Sequence, residues 1–227
     1  MKFRKTLKYF LVHKLSISNR TAHLLITSSR IYVNGKTCNS NCEIREVDEV
    51  KMDNTIIKSA KILQYFLYYK PVGIECSLSS KIENNLSSAS GLSNCFFPVG
   101  RLDKDSEGLL VMTNDGDLYK QLTWPFQNKE KEYLVSVNKK INVKKLKVLE
   151  DGIQIDNYQT KKCKIKIENE FSFNIILTEG KNRQIRKMCA SIGYEVQQLV
   201  RLRIDNFHLG ELKPGMKKEI TRQEFTK

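Results

Sequence analysis

No stretch of this 227-residue chain approaches the roughly 20 consecutive apolar residues needed to cross a bilayer. Lys2, Arg4, Lys5 and Lys8 lead only into the short run Tyr9 to Val12, so membrane-spanning and secreted classes are disfavoured. Histidine is scarce, and His13, His23 and His208 stand isolated as surface or core residues rather than as a catalytic or metal-binding pair. Six cysteines are scattered through a chain whose 40% apolar content can furnish a core without disulfide staples, which fits reduced thiols in a cytoplasm. Cys38 and Cys42 are the only close pair, and no second pair or nearby His completes a zinc site, so no metal is expected. Gly and Pro are few while Lys, Ile and Asn abound, a usage that suggests an AT-rich bacterial genome. Acidic residues fall short too. Against 25 Asp and Glu stand 39 Lys and Arg, giving +14 and a pI near 9.5. Such a surplus favours a polyanionic partner, nucleic acid or an anionic membrane surface.

What is present divides into two modules. Leu7, Phe10, Leu11 and Leu15, then Ala22, Leu25 and Ile26, have helical spacing interrupted near Ser16 to Asn19, which predicts two short helices joined by a turn. Ser18 is a suitable N-cap for the second, and Arg20, His23 and Thr27 share a face away from the apolar stripe. Ile31-Tyr32-Val33, the turn Asn34-Gly35 and an extended piece around Glu49 to Met52 predict a small sheet. This order, with Arg30 opening the first strand, resembles the S4-like RNA-binding fold over residues 1–58, although Ser29 stands where that family often has Gly. The resemblance implies RNA contacts from Ser18, Asn19, Arg20, His23 and Arg30. Solvated polar positions on a small domain would look the same.

Asn54 to Lys61 is polar and short and reads as the connection, with 59–61 as the linker proper and 62–227 as a second domain. Ile62 to Tyr69 predicts a buried strand stopped at Lys70-Pro71-Val72-Gly73. Ser77 to Asn94, rich in Ser and Asn, predicts a surface loop. Next, Gly100-Arg101-Leu102-Asp103-Lys104-Asp105-Ser106-Glu107-Gly108 concentrates charge between two glycines before an apolar strand. A carboxylate flanked by Arg101 and Lys104 is expected to stay ionised, as a nucleophile or electrostatic stabiliser must. On these grounds alone Asp103, Asp105 and Asp115 are equal candidates, and turn or cap duty is a common fate of Asp beside Gly.

Taken with Lys70-Pro71-Val72-Gly73-Ile74, the Gly-Arg-Leu-Asp stretch resembles the signature of RNA pseudouridine synthases, in the branch of RsuA, RluB, RluE and RluF types. Tyr69 and Ser106 replace a frequent Asn and Thr of that pattern. The resemblance implies that Asp103 is the catalytic carboxylate. It also implies that Tyr133, in the strand-like Lys131-Glu132-Tyr133-Leu134-Val135, lies against the target base. In Thr178-Glu179-Gly180-Lys181-Asn182-Arg183-Gln184-Ile185-Arg186-Lys187-Met188-Cys189, the residues Ile185, Met188, Cys189 and Ile192 share a helical face ended by Gly193. Arg186 sits at the edge of that face. By resemblance it pairs with Asp103, orienting the carboxylate and keeping it ionised. Arg183 and Lys187 are expected to touch phosphate.

With Lys161-Lys162-Cys163-Lys164 and Leu199-Val200-Arg201-Leu202-Arg203, the chain most resembles the RluF-type large-subunit ribosomal RNA synthases. The implied fold is α+β, with a mixed, mainly antiparallel sheet, a cleft across it and flanking helices. The implied reaction turns a uridine into its C-glycoside isomer after the base is extruded, at a cost of a few kcal/mol. Arg101 would fill the vacated space, or contact phosphate. No cofactor is required, because redox state and bond order do not change overall. The expected partner is ribosomal RNA, with small-subunit or transfer RNA as alternatives, and the expected state is a monomer. A non-catalytic RNA-binding or ribosome-assembly factor would be as basic but would not need Asp103, Tyr133 and Arg186. A hydrolytic RNA-processing enzyme would want paired carboxylates with a metal, or a His pair.

Overall fold

The computed structural model describes residues 6–123 and 129–225, so the basic Lys2, Arg4 and Lys5 lie outside the described residues. Two compact units divide the chain, Met1–Leu63 and Gln64–Lys227.

In the first unit α1 (Leu7–Leu15) ends where Ser16 turns left-handed, and α2 (Asn19–Thr27) starts at Ser18, whose hydroxyl accepts the Thr21 N–H at 3.0 Å. Leu7 and Leu11, and Ala22 and Ile26, each four apart and so on one helix face, are buried with Ile31, Ile44 and Val50. Strands β1 (Ile31–Val33), β2 (Lys36–Thr37), β3 (Val50–Met52) and β4 (Thr55–Lys58) form an antiparallel sheet in the order β2-β1-β3-β4. Asn34 and Gly35 both have positive φ, as a two-residue hairpin turn between twisted strands demands. Strand β4 corrects the expectation of a plain linker from Asn54. Its first two residues face solvent, so its polarity resembles that of a connection although its backbone pairs with β3.

The second unit has the α+β architecture, a mixed and mainly antiparallel sheet flanked by helices. Its elements are β5 (Tyr65–Lys70), α3 (Leu86–Ser90), β6 (Phe97–Val99), β7 (Glu107–Thr113), α4 (Gly116–Thr123), β8 (Lys131–Val137), α5 (Val143–Asp151), β9 (Gln154–Ile155), β10 (Tyr158–Gln159), β11 (Lys164–Asn169), β12 (Ser172–Leu177), α6 (Gln184–Ser191), β13 (Val196–Ile204), β14 (Phe207–His208) and β15 (Lys217–Ile220). The sheet runs β11-β12-β8-β13-β7-β5-β15, with β14 on β13 and β6 on β7. Among the described residues, every strand pairing in this sheet is antiparallel except β13 with β7.

Two local expectations change. Strand β5 begins at Tyr65, not Ile62, which is exposed. The Ser- and Asn-rich segment holds α3, because Asn85 caps it by accepting the Ser88 N–H at 2.9 Å and Leu86 is fully buried. One apolar residue per turn anchors a helix too short to show periodicity.

The parallel contact positions the site. Only Val200 with Glu107 and Arg201 with Gly108 pair across it, and the same edge of β7 then passes to β6 at Val111–Thr113. The chain between β6 and β7, residues 100–106, therefore lies over the seam where the two parts of the sheet meet.

Candidate active site

Residues 100–106 rest on the turn that follows β5. Lys70 is buried and donates its Nζ to the carbonyl oxygens of Pro71 (2.7 Å) and Ile74 (2.8 Å), gathering that turn around itself. Gly73 then donates its N–H to the Lys104 carbonyl at 2.8 Å, and the Leu102 N–H reaches the Cys76 sulfur at 3.4 Å. Ser106 N–H donates to the Asp103 carbonyl at 3.1 Å, closing the loop into a turn with Asp103 at its start.

Beside it opens a cavity of about 840 Å³, within the range of small-ligand sites. Asp103, Arg101, Tyr133, Lys131, Arg183, Ile185 and Arg201 are among its lining residues. Tyr133 is buried on β8, directly across from Ile175 of β12 and Arg201 of β13.

The three acids that sequence alone left equal have three different environments. Asp115 is a helix cap: Oδ1 accepts the N–H groups of Asp117 (3.0 Å) and Leu118 (3.1 Å), and Oδ2 accepts the Tyr65 hydroxyl at 2.8 Å. Burial pushes its carboxyl up, but these donors and the charge of Arg222 outweigh burial and hold it below the usual range. Asp105 is an ion-pair anchor. Arg183 donates to it twice, at 3.1 and 2.8 Å, and Arg186 Nε lies 3.2 Å from Oδ2. Burial again opposes ionisation, and the hydrogen bonds from Arg183 with the charges of Arg186 and Arg183 win, lowering the Asp105 carboxyl. Asp103 differs from both. It is half-buried at the cavity wall, and among the described residues no hydrogen bond or ion pair engages its carboxylate.

Arg186 corrects the expected pair with Asp103. Its Nη1 donates to the Val196 carbonyl (3.0 Å) and its Nη2 to the Asp105 carbonyl (2.8 Å), while Nε makes a charge contact with Asp105 without hydrogen-bond geometry. The turn sends Asp105 toward α6, where Arg186 lies, and leaves Asp103 facing the cavity. Arg183 occupies the N-cap position of α6 with a left-handed backbone, and its guanidinium is raised by the hydrogen bond to Asp105, with the charges of Asp105 and Asp103 adding. Lys187, expected to contact phosphate, pairs with Asp156 at 2.5 Å. Arg101 is exposed at the cavity edge.

In the first unit Ser18 spends its hydroxyl on the helix cap, Asn19, Arg20 and His23 are exposed on α2, and Arg30 forks onto Asp53 at 3.0 and 2.6 Å. The Cys38 and Cys42 sulfurs approach to 3.0 Å. Among the described residues no group of three or more His, Cys, Asp or Glu could hold a metal, and no helix is long and apolar enough to cross a membrane.

Sequence reasoning missed Arg201 and the cluster around Glu179. The Glu179 carboxylate takes the Tyr158 hydroxyl (2.5 Å), the Gln184 amide (2.6 Å) and the Lys161 N–H (3.0 Å), and Lys181 Nζ lies 4.4 Å from the Tyr158 ring centre. Glu179 and Gln184 are five apart and could have been suspected as a loop brace. Nothing in the sequence placed Tyr158 beside them.

Comparison with known proteins agrees with this architecture. Residues 64–191 match the family model described as RNA pseudouridylate synthase. The "Dual-specificity RNA pseudouridine synthase RluF" of Escherichia coli K12 is 38% identical over 210 residues, covering 92% of this chain and 72% of that protein. An "Uncharacterized RNA pseudouridine synthase" of Aquifex aeolicus is 32% identical, covering 95% of this chain and 92% of its own. The structure described as "Crystal structure of pseudouridylate synthase" superposes with a TM-score of 0.67 at 26% identity, over 97% of this chain and 98% of that one.

Proposed function

The chain belongs to the RNA pseudouridylate synthase family, and we propose that this isomerase acts on one uridine of ribosomal RNA, in the large subunit, with Asp103 as its catalytic carboxylate. The observation that carries the Asp103 assignment is the sorting of the acids. Asp115 is committed to a helix cap and Asp105 to two arginines, while Asp103 lines the cavity with its carboxylate unengaged by described residues.

A stacked uridine hides its glycosidic bond, so the nucleotide is extruded into the cavity, at a cost of a few kcal/mol. Tyr133 stacks against the uracil, and Arg101 at the rim occupies the vacated space in the RNA or holds phosphate. Asp103 promotes cleavage of the bond from N1 to the sugar carbon. The freed base rotates, its C5 bonds to that carbon, C5 gives up its proton, and N1 gains one. Arg183 and Arg186 act on this step through Asp105, by fixing the loop that carries Asp103.

The first unit serves as an S4-like RNA-binding module, through Ser18 at the N-cap of α2, Asn19, Arg20 and His23 on α2, and Arg30 in the segment after it. Its positive charge and that of the cavity rim support RNA as the partner. We place the enzyme in the cytoplasm as a monomer. Carbodiimide mapping of pseudouridine in total RNA tests the whole reading, comparing cells that carry the intact gene, Asp103→Asn, or a deletion. Loss of one large-subunit signal in both altered strains supports it. A signal lost from transfer RNA or the small subunit moves the substrate, and an active Asp103→Asn removes the carboxylate assignment.

A further inference from the structure

Arg201 is only 2% exposed, and among the described residues it has no ion-pair partner. A buried guanidinium without a counter-charge is costly, so its contacts call for explanation. Nε donates to the Leu109 carbonyl at 2.7 Å and Nη1 to the Arg101 carbonyl at 3.2 Å. Those two acceptors are the feet of one loop: Arg101 stands two residues before Asp103, and Leu109 lies on β7 just past the loop's end. One rigid fork thus spans both ends of the segment that carries Asp103.

Its surroundings are fixed as firmly. Gly108 pairs with Arg201 across the parallel seam, where an added Cβ would sit 2.4 Å from the Arg201 carbonyl oxygen. Tyr133 is its cross-strand neighbour on the other side. The third donor group, Nη2, is buried with no acceptor, while the residue lines the same cavity as Asp103.

Resting on the reading of Asp103 as catalytic, we propose that Arg201 is a positioning residue, which clamps both feet of the 101–109 loop and so sets where the Asp103 carboxylate stands toward the extruded uridine. The role belongs to the reacting geometry rather than to RNA affinity, because the side chain is buried at the cavity wall and both of its hydrogen bonds go to carbonyls at the feet of the loop. A guanidinium makes both bonds at once; the single ammonium of lysine cannot reproduce the fork.

The test uses the full chain and its ribosomal RNA substrate under single-turnover conditions, with Arg201→Lys, Arg201→Met and Arg201→Ala beside Asp103→Asn. The single-turnover rate constant should fall by about 100-fold in the Lys and Met variants, the penalty of a misplaced reacting group, while RNA affinity holds within about three-fold. Guanidinium chloride well below denaturing concentrations should restore part of the rate to Arg201→Ala and none to Asp103→Asn. Wild-type rates in the Lys and Met variants, or rate losses that only follow loss of folded protein and show no rescue, overturn the proposal. An active Asp103→Asn overturns the reading of the site itself, whereas an inactive Asp103→Asn beside active Arg201 variants overturns only the role of Arg201.

Discussion

Arg183 forks its guanidinium onto the Asp105 carboxylate, Nη1 to Oδ1 at 3.1 Å and Nη2 to Oδ2 at 2.8 Å. This fork ties the tip of the loop to the start of α6 and gives Asp105 a mechanical duty, two residues from the acid proposed to do chemistry. The two carboxylates should respond differently to the same substitution. Asp103→Asn is expected to lower the single-turnover rate by at least about 1,000-fold, the scale on which a positioned acid or base contributes, without moving the melting temperature. Asp105→Asn keeps one acceptor for the arginines and should cost about 10-fold. Equal losses would mean that both acids act through the same role.

The pH dependence of stability follows from the same pair. The Asp105 carboxyl is lowered in the folded protein, so the unfolded chain binds that proton more tightly. The stabilisation is therefore complete above the ordinary carboxylate value and disappears as pH falls through it toward the lowered one. Because Arg183 and Asp105 are 44% and 43% exposed, solvent screens the pair to about 0.5 kcal/mol. The melting difference between wild type and Asp105→Asn should be a degree or two, constant from about pH 6 to 8, and should close below about pH 4. A difference that widens on acidification would reverse the assigned sign.

The segments that form the cavity wall were legible in the sequence because each is local. Gly100 to Gly108, the β5 turn at Lys70 to Ile74 and the helix from Gln184 each announce themselves by residues a few positions apart. The partner of Arg186 was not legible, since Asp103 and Asp105 differ by two positions in one turn and only the direction of that turn decides between them. Arg201 was hidden for another reason. Within Leu199-Val200-Arg201-Leu202-Arg203 it alternates with apolar residues like any half-exposed strand residue, and its burial comes from β7, over 90 residues away. Strand β4 and helix α3 escaped because backbone pairing and a single buried Leu86 leave no periodic trace.

Gly108 should tolerate no side chain. Its φ of +107° and the Arg201 backbone 2.4 to 2.6 Å from a built Cβ exclude alanine on two independent grounds, and the obstacle is backbone that cannot rotate away. Gly108→Ala is expected to destabilise by more than about 2 kcal/mol. Gly100→Ala, at φ +80° with nothing within 4 Å, carries backbone strain alone, about 1 kcal/mol. Urea unfolding of the two variants measures the difference, and equal midpoints would show that the seam opens more readily than its geometry implies.

Asp115 should matter for stability and not for chemistry. Alanine there removes the cap of α4 and strands the Tyr65 hydroxyl, a loss of about 2 kcal/mol. Folded Asp115→Ala should isomerise uridine at the wild-type rate. A rate loss in the folded fraction would return Asp115 to the list of catalytic candidates.

The first unit offers a test of RNA binding that chemistry does not enter. On α2, Ala22 and Ile26 face inward, which leaves Arg20 and His23 on the solvent side with Asn19, whereas Arg30 already shares its charge with Asp53. If this face meets phosphate, Arg20→Ala in the full chain should weaken binding to ribosomal RNA fragments and reduce the salt slope by about 1. Arg30→Ala should change the slope less, because binding by Arg30 must first compete with its own carboxylate. Fluorescence anisotropy across a salt titration reads both quantities. An unchanged slope for Arg20→Ala would leave α2 as a merely solvated face and shift RNA recognition to the basic rim of the cavity.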